Sequence, residues 1–301
     1  MKSNRIIVGP LLSFVFLLFF ISVIFCIETV SKNYFTSDKE MFLAAISPEI
    51  KQKEQSGPIV PPELNAKSAI SVESNLQDIN KNIFEKNTDD VLPIASLTKL
   101  MTAIIVLDNY NLADTITVDE IADKQNAIIN DVKLNDKLTV ENFLEITLIG
   151  SSNKSAFALS QKIGEEKFVE LMNQKAKEIG LEKTFFADPT GLSPKNVSTA
   201  TDLVKLAEYI LKNYPKITDI TSKKELDVQG FGKIENTDQL LTEIPEVVCS
   251  KTGYTNAAGG CLLLVINNSK NKDYFINVIL GADDRLLEMK KLINLSSSTC
   301  N

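Results

Sequence analysis

The chain has 301 residues, with 32 Lys and Arg against 39 Asp and Glu, and a net charge of −7. That length supports a sizeable core in one large domain or two smaller ones, and the acidic balance excludes a protein that tracks nucleic-acid phosphates. The sequence holds no histidine. Ser-His-Asp triads, Cys-His dyads and His-ligated metal sites are therefore excluded, and a hydrolase built here must take its base from Lys, Asp, Glu or Tyr.

Residues 6–27 form a run of 22 residues without a charge. A membrane-spanning helix needs about 20. Lys2 and Arg5 precede the run and Glu28 ends it, so the positive-inside rule leaves the short N-terminus in the cytoplasm and sends the rest outside. A cleaved signal peptide is the competing reading. Its apolar core is shorter, and small residues mark its cut; here the run ends Phe25-Cys26-Ile27. An uncleaved anchor over 1–27 is the expectation, with an extracytoplasmic remainder in either case.

Residues 28–65 read as a stalk, polar and carrying Pro48, Pro58, Pro61 and Pro62, which favour extended backbone. A globular domain is expected over 66–296, with 297–301 as a tail. Residues 68–74 and 83–86 read as short strands. Pro93 precedes a helix over 95–108 that is apolar nearly all round and so central and buried. From 115 to about 225 the pattern is mainly helical, with segments at 142–148, 155–163, 165–179 and 201–213. Gly180 serves as a C-cap, and Thr199 or Thr201 as an N-cap. Residues 188–191 read as a turn. Strands follow at 247–253, 261–266 and 274–280, then a helix over 283–295. This order predicts an α+β fold: an antiparallel sheet completed by both chain ends, flanked by helices, with a mainly helical region inserted.

Four cysteines, Cys26, Cys249, Cys261 and Cys300, are not spaced as metal ligands. Cys249 and Cys261 flank one hairpin, where opposed positions on adjacent strands would permit a disulfide and buried free thiols are the alternative.

Ser96-Leu97-Thr98-Lys99 opens the central helix. Residues i and i+3 share a helix face, so Lys99 can sit beside the Ser96 hydroxyl. The helix N-terminus favours a developing alkoxide, and a neutral Lys99 could take the serine proton if burial and nearby positive charge lower its pKa. The pattern recurs at 151–154 and 269–272, so alone it is weak. Ser151-Ser152-Asn153 alone is a plain helix cap, and Lys251-Thr252-Gly253 alone is a hairpin edge with a protective lysine.

Their order, Ser-x-x-Lys, Ser-x-Asn, Lys-Thr-Gly, resembles the serine acyl-transferases that bind penicillin. The match is closer to the low-molecular-mass D-alanyl-D-alanine carboxypeptidases. It includes Leu92-Pro93-Ile94-Ala95-Ser96-Leu97-Thr98-Lys99, Pro189-Thr190-Gly191-Leu192, Ser198-Thr199-Ala200, Lys251-Thr252-Gly253-Tyr254-Thr255 and Leu280-Gly281-Ala282 with Arg285, over about 66–295. The resemblance implies a β-lactamase/transpeptidase-like fold and no metal or organic cofactor. It implies Ser96 as nucleophile on a peptidoglycan stem peptide ending in D-Ala-D-Ala, with Lys99 as base and β-lactam antibiotics as covalent inhibitors. Ser151 would relay a proton to the leaving amine, Asn153 would hold Lys99 and the substrate amide, and Lys251 would add positive field. Thr252 and Arg285 would hold the terminal carboxylate. The oxyanion hole would be the Ser96 and Tyr254 N–H groups, and Gly253 would join Thr252, Tyr254 and Arg285 in binding the substrate.

The chain departs from the family pattern at Lys154, where an Asp is usual, and in Asn196-Val197, where a His is usual. A C-terminal β domain common in relatives has no counterpart here, and the N-terminal anchor would tether instead. Alternatives are a D,D-endopeptidase of the same chemistry, a catalytically silent wall-binding homologue, and a class A β-lactamase. The last lacks its Glu-x-x-Leu-Asn after Asn153.

Overall fold

The computed structural model describes residues 63–77, 80–127, 131–268, 271 and 273–298. The anchor, nearly all of the stalk and most of 269–272 lie outside them. No helix among the described residues is long and apolar enough to cross a membrane.

In chain order the strands are β1 (Ser68–Ser74), β2 (Asn80–Lys86), β3 (Leu92–Pro93), β4 (Thr115–Thr117), β5 (Lys137–Thr139), β6 (Val197–Ser198), β7 (Glu225–Val228), β8 (Gly232–Glu235), β9 (Val247–Thr255), β10 (Gly259–Asn267) and β11 (Tyr274–Ala282). The helices are α1 (Thr98–Asn109), α2 (Glu120–Asp123), α3 (Val140–Ile149), α4 (Asn153–Gln161), α5 (Glu165–Ile179), α6 (Ala200–Asn213), α7 (Pro215–Thr221) and α8 (Arg285–Ser298).

Both chain ends build the main sheet, which is antiparallel in the order β2-β1-β11-β10-β9. Strand period two sends alternate side chains to opposite faces. Leu263 and Val265 of β10, with Ile276, Val278 and Leu280 of β11, join the core shared with α1 and the helical region. Leu262, Leu264 and Ile279 face the other way, onto Met289 and Leu292 of α8. The sheet is thus sandwiched between the closing helix and the inserted helices, as the sequence predicts.

Three small antiparallel pairs, β3 with β6, β4 with β5 and β7 with β8, were not expected; β4, β5 and β6 fall within the stretch read as mainly helical, β3 before it and β7 and β8 at its end and beyond. Their two to four residues are too short to show an alternating pattern. Helix α7, opened by Pro215 at its first turn, was likewise not predicted. Helix α8 runs to Ser298, past the expected domain end, and packing begins at the buried Leu64, before the expected start.

The hairpin register places Cys249 opposite Val265 and Cys261 opposite Gly253. The two thiols do not face each other, and both are free and buried. A disulfide across the hairpin is excluded, because the two positions lie several rungs apart on the ladder.

Candidate active site

The three motifs converge, two of them at helix starts and the third inside the edge strand β9. Residues Ala95–Leu97 form a 3₁₀ turn leading into α1. Ala95 has φ of +47°, a conformation that costs a non-glycine residue about 1–3 kcal/mol. It is held by two close approaches. At Gly191, φ is +88° and a Cβ would sit 2.0 Å from the Ala95 carbonyl oxygen. At Gly253 a Cβ would sit 3.0 Å from the Ser96 nitrogen. Glycine at both positions lets two other segments press against the turn that carries Ser96.

Helix α1 then presents Lys99 one turn on, fully buried. Its Nζ lies 2.9 Å from Ser96 Oγ and donates to Asn153 Oδ1 at 2.8 Å and to the Thr190 carbonyl at 2.6 Å. The last two atoms can only accept, so they consume two N–H groups and leave one position on the nitrogen, facing Ser96. Burial, then the charge of Lys251, hold Lys99 well below the ordinary lysine pKa, against opposing Asp188 and Asp131. A neutral amine in this setting turns its lone pair to the serine, and the Ser96 hydroxyl donates to it.

Ser151 has φ of +60°. Ser152 is the N-cap of α4: its Oγ accepts from Ser155 N at 2.9 Å and donates to Asp131 Oδ1 at 2.5 Å. These two hydrogen bonds fix the corner that carries Ser151 and Asn153. Cys249, Lys251 and Gly253 share one face of β9 by strand period, the face toward the helical region. Lys251 Nζ donates to Ser151 Oγ at 2.9 Å. Burial and Arg285 lower the Lys251 pKa to about 7, with Asp238 opposing.

Strand β9 is the edge of the main sheet, and edge strands leave backbone groups unpaired on one side. It continues to Thr255, beyond the end predicted at Gly253. Tyr254, the residue after Gly253, is 60% exposed. Thr252 Oγ1 lies 2.5 Å from Thr237 Oγ1. Arg285 opens α8, and its buried Nε has no hydrogen-bond partner, an unmet donor suited to an anionic ligand. Of the nine site residues predicted from the sequence, Ser96, Lys99 and Asn153 are joined by hydrogen bonds, as are Ser151 and Lys251; Gly253 packs against the Ser96 turn with Thr252 and Tyr254 on either side of it in β9, and the charge of Arg285 acts on Lys251.

Several contributors were not predicted. The Asp188 carboxylate accepts from Thr190 N and Oγ1, Gly191 N, Ser193 N and Asn196 Nδ2, and so shapes the loop that offers the Thr190 carbonyl to Lys99. Asn196, in the Asn196-Val197 segment where a His is usual, is fully buried. Its Oδ1 accepts from Ala187 N and its carbonyl accepts from Ile94 N, tying this loop to the nucleophile turn. Asp238 accepts from Ser250 Oγ and Leu240 N beneath Lys251; burial raises its pKa, against Ser250, Leu240, Arg285 and Lys251. Lys154 does not add free charge to the cleft: it pairs with Asp123 at 2.6 Å.

The family model for D-alanyl-D-alanine carboxypeptidases matches residues 52–284. The chain belongs to this family. It is a serine-type peptidase of the D-alanyl-D-alanine carboxypeptidase family by that match and by its relatives. It is 38% identical over 220 residues to a D-alanyl-D-alanine endopeptidase of Escherichia coli, covering 69% of each chain. It is 31% identical to a D-alanyl-D-alanine carboxypeptidase of Bacillus subtilis, covering 77% of this chain and 62% of that one. Among solved structures it resembles penicillin-binding protein D2 of Listeria monocytogenes with bound cefotaxime, at TM-score 0.71 and 27% identity, covering 78% of this chain and 98% of that one. The transpeptidase-like architecture expected for a D-alanyl-D-alanine carboxypeptidase is therefore the one observed.

Proposed function

We propose that this protein removes the terminal D-alanine from peptidoglycan stem pentapeptides through an acyl-enzyme on Ser96. The supporting observation is the Lys99 amine, 2.9 Å from Ser96 Oγ with its other contacts on pure acceptors. In this reading Lys99 takes the Ser96 proton as Oγ attacks the carbonyl between the two D-alanines. The Ser96 and Tyr254 N–H groups receive the oxyanion, at about 3 kcal/mol per donor. The C–N bond breaks, and Ser151, held by Lys251 at 2.9 Å, relays a proton to the leaving amine. Asn153 holds the substrate amide. Thr252 and Arg285 hold the carboxylate of the departing residue. Water then frees the acyl group from Ser96. β-Lactams would enter the same path and stall as acyl-enzymes. The apolar run 6–27 would anchor the chain, with the catalytic domain outside the membrane.

A second reading is a D,D-endopeptidase that cuts cross-links, favoured by the 38% identity to an enzyme of that name. It uses the same serine chemistry, with a longer leaving group. The test is direct: purified full-length chain is given a stem pentapeptide and a cross-linked dimer, and the products are resolved by mass. Release of D-alanine from the pentapeptide supports the first reading, monomer from the dimer alone supports the second, and an unchanged mixture refutes both.

A further inference from the structure

Asn153 must face Lys99 with its oxygen, yet an amide can flip at almost no steric cost. The flipped amide would donate an N–H to the lone pair of a neutral Lys99 and occupy the pair that has to accept the Ser96 proton. Something must therefore fix the orientation. The structure provides it from the segment 119–127. Asn153 Nδ2 donates to the Asn126 carbonyl at 3.0 Å. A carbonyl only accepts, so it holds the NH₂ end away from Lys99 and leaves Oδ1 there. Asn126 itself is exposed, and its carbonyl keeps this position only if its segment is pinned.

The pin is the residue after Asn153. Lys154 Nζ pairs with Asp123 Oδ1 at 2.6 Å, with side chains 12% and 34% exposed. Such half-buried pairs hold geometry better than surface ones. Asp123 ends α2, whose other end is capped by Asp119 through Ile121 N and Ala122 N. The segment is thus fixed at both ends of its short helix. The family pattern has a carboxylate where Lys154 stands; here the ion pair spans the gap between α4 and α2.

We propose that the Lys154–Asp123 ion pair is a positioning device for the reaction: it seats the Asn126 carbonyl on the Asn153 amide and so keeps Asn153 Oδ1, not Nδ2, on the catalytic lysine. This rests on the acyl-enzyme reading above. Both residues act through Asn153 and neither touches substrate. The other charged groups acting on Lys99 are Lys251 from β9, Asp188 from the loop before β6 and Asp131 from the segment before β5. They stay in place in the variants below.

The experiment is the rate of acylation by fluorescent penicillin, measured against pH on the full-length chain. The variants are Lys154→Ala, Asp123→Ala, the double variant and Lys154→Arg, each with a melting curve. Losing one oriented hydrogen bond in the transition state is expected to cost about tenfold. Lys154→Ala and Asp123→Ala should both lower the plateau by about that factor. Both should also move the acidic limb to lower pH, because the Lys99 ammonium loses an acceptor. The double variant should be no slower than either single, and Lys154→Arg should restore the parent rate. A plain through-space charge effect predicts instead that the two single variants move the limb in opposite directions, and that result overturns the proposal. Parent-like rates in both singles overturn it too, as does a rate loss in Lys154→Ala that Lys154→Arg fails to restore. Failure of the unchanged chain to acquire label refutes the acyl-enzyme reading itself and the proposal with it.

Discussion

Replacing Gly253 by alanine tests how closely β9 is fitted to the nucleophile. A Cβ there would lie 3.0 Å from the Ser96 nitrogen, 3.1 Å from Ala95 Cβ and 3.1 Å from the Ile94 carbonyl oxygen. Ordinary carbon contacts begin near ~3.5 Å, and all three neighbours belong to the strained turn that Gly191 holds from the other side. The strand must therefore retreat by roughly 0.4–0.5 Å. A displacement of about 1 Å at a reacting centre can cost about a hundredfold, so half of that is expected to cost about tenfold in the acylation rate. Overpacking of this kind destabilises by about 1–3 kcal/mol, or roughly 2–12 °C in melting temperature for a domain of this size. The assay is fluorescent-penicillin acylation of the full-length chain beside thermal melting. A Gly253→Ala protein that acylates at the parent rate and melts with the parent would refute the fit of β9 to the Ser96 turn.

Three further outcomes are expected. Lys251 has a pKa near 7 through burial and the neighbouring Arg285, so its positive field is complete well below that pH and lost above it. Acylation should decline on the alkaline side with a midpoint near 7, and Lys251→Arg, charged throughout, should move that limb upward; an unmoved limb assigns the decline to another group. Arg285→Ala should reduce turnover of a D-Ala-D-Ala peptide by tenfold or more, as expected when a charged hydrogen bond of about 1.5–3 kcal/mol is lost, and reduce penicillin capture less. Equal losses would mean that the change damages the fold of the cleft. Cys249 and Cys261 are buried, and burial raises both thiols to about 11. Maleimide should leave both unmodified in the native chain and modify both after denaturation without reductant, whereas a disulfide-linked pair would stay unmodified.

The sheet was legible because its strands are short apolar runs bounded by turn residues, as strands buried on both faces are: β1 was predicted with its observed ends, and β9 to β11 to within one or two residues. Helix α5 was likewise predicted residue for residue, since Gly180 at φ of +81° is the C-cap its sequence announces. The cap at Thr199, which accepts from Asp202 N, was one of the two candidates named. The short pairs β3–β6, β4–β5 and β7–β8 were not legible, because two to four residues hold no period and long-range contacts decide them. At the site, side-chain chemistry was legible and main-chain chemistry was not. Ser96, Lys99, Asn153 and Lys251 were picked out by the order of three motifs and its resemblance to the penicillin-binding serine enzymes, each motif being weak alone. The Thr190 and Asn126 carbonyls carry no residue signature at all, and Asp188 and Asp238 matter only through what the fold brings to them. The Asp-Pro-Thr-Gly turn was the one available signal for Asp188, since Asp favours turns by bonding its own backbone two residues on.

The central claim is that Ser96 forms a covalent acyl-enzyme with Lys99 as its base. The most direct measurement is fluorescent-penicillin labelling of the full-length chain and of Ser96→Ala, resolved on a denaturing gel, with melting curves for both. The account expects a covalent band in the parent and none in Ser96→Ala, at unchanged melting temperature. A band that survives the substitution would remove Ser96 from its role. A folded parent that takes up no label would identify a silent wall-binding homologue instead.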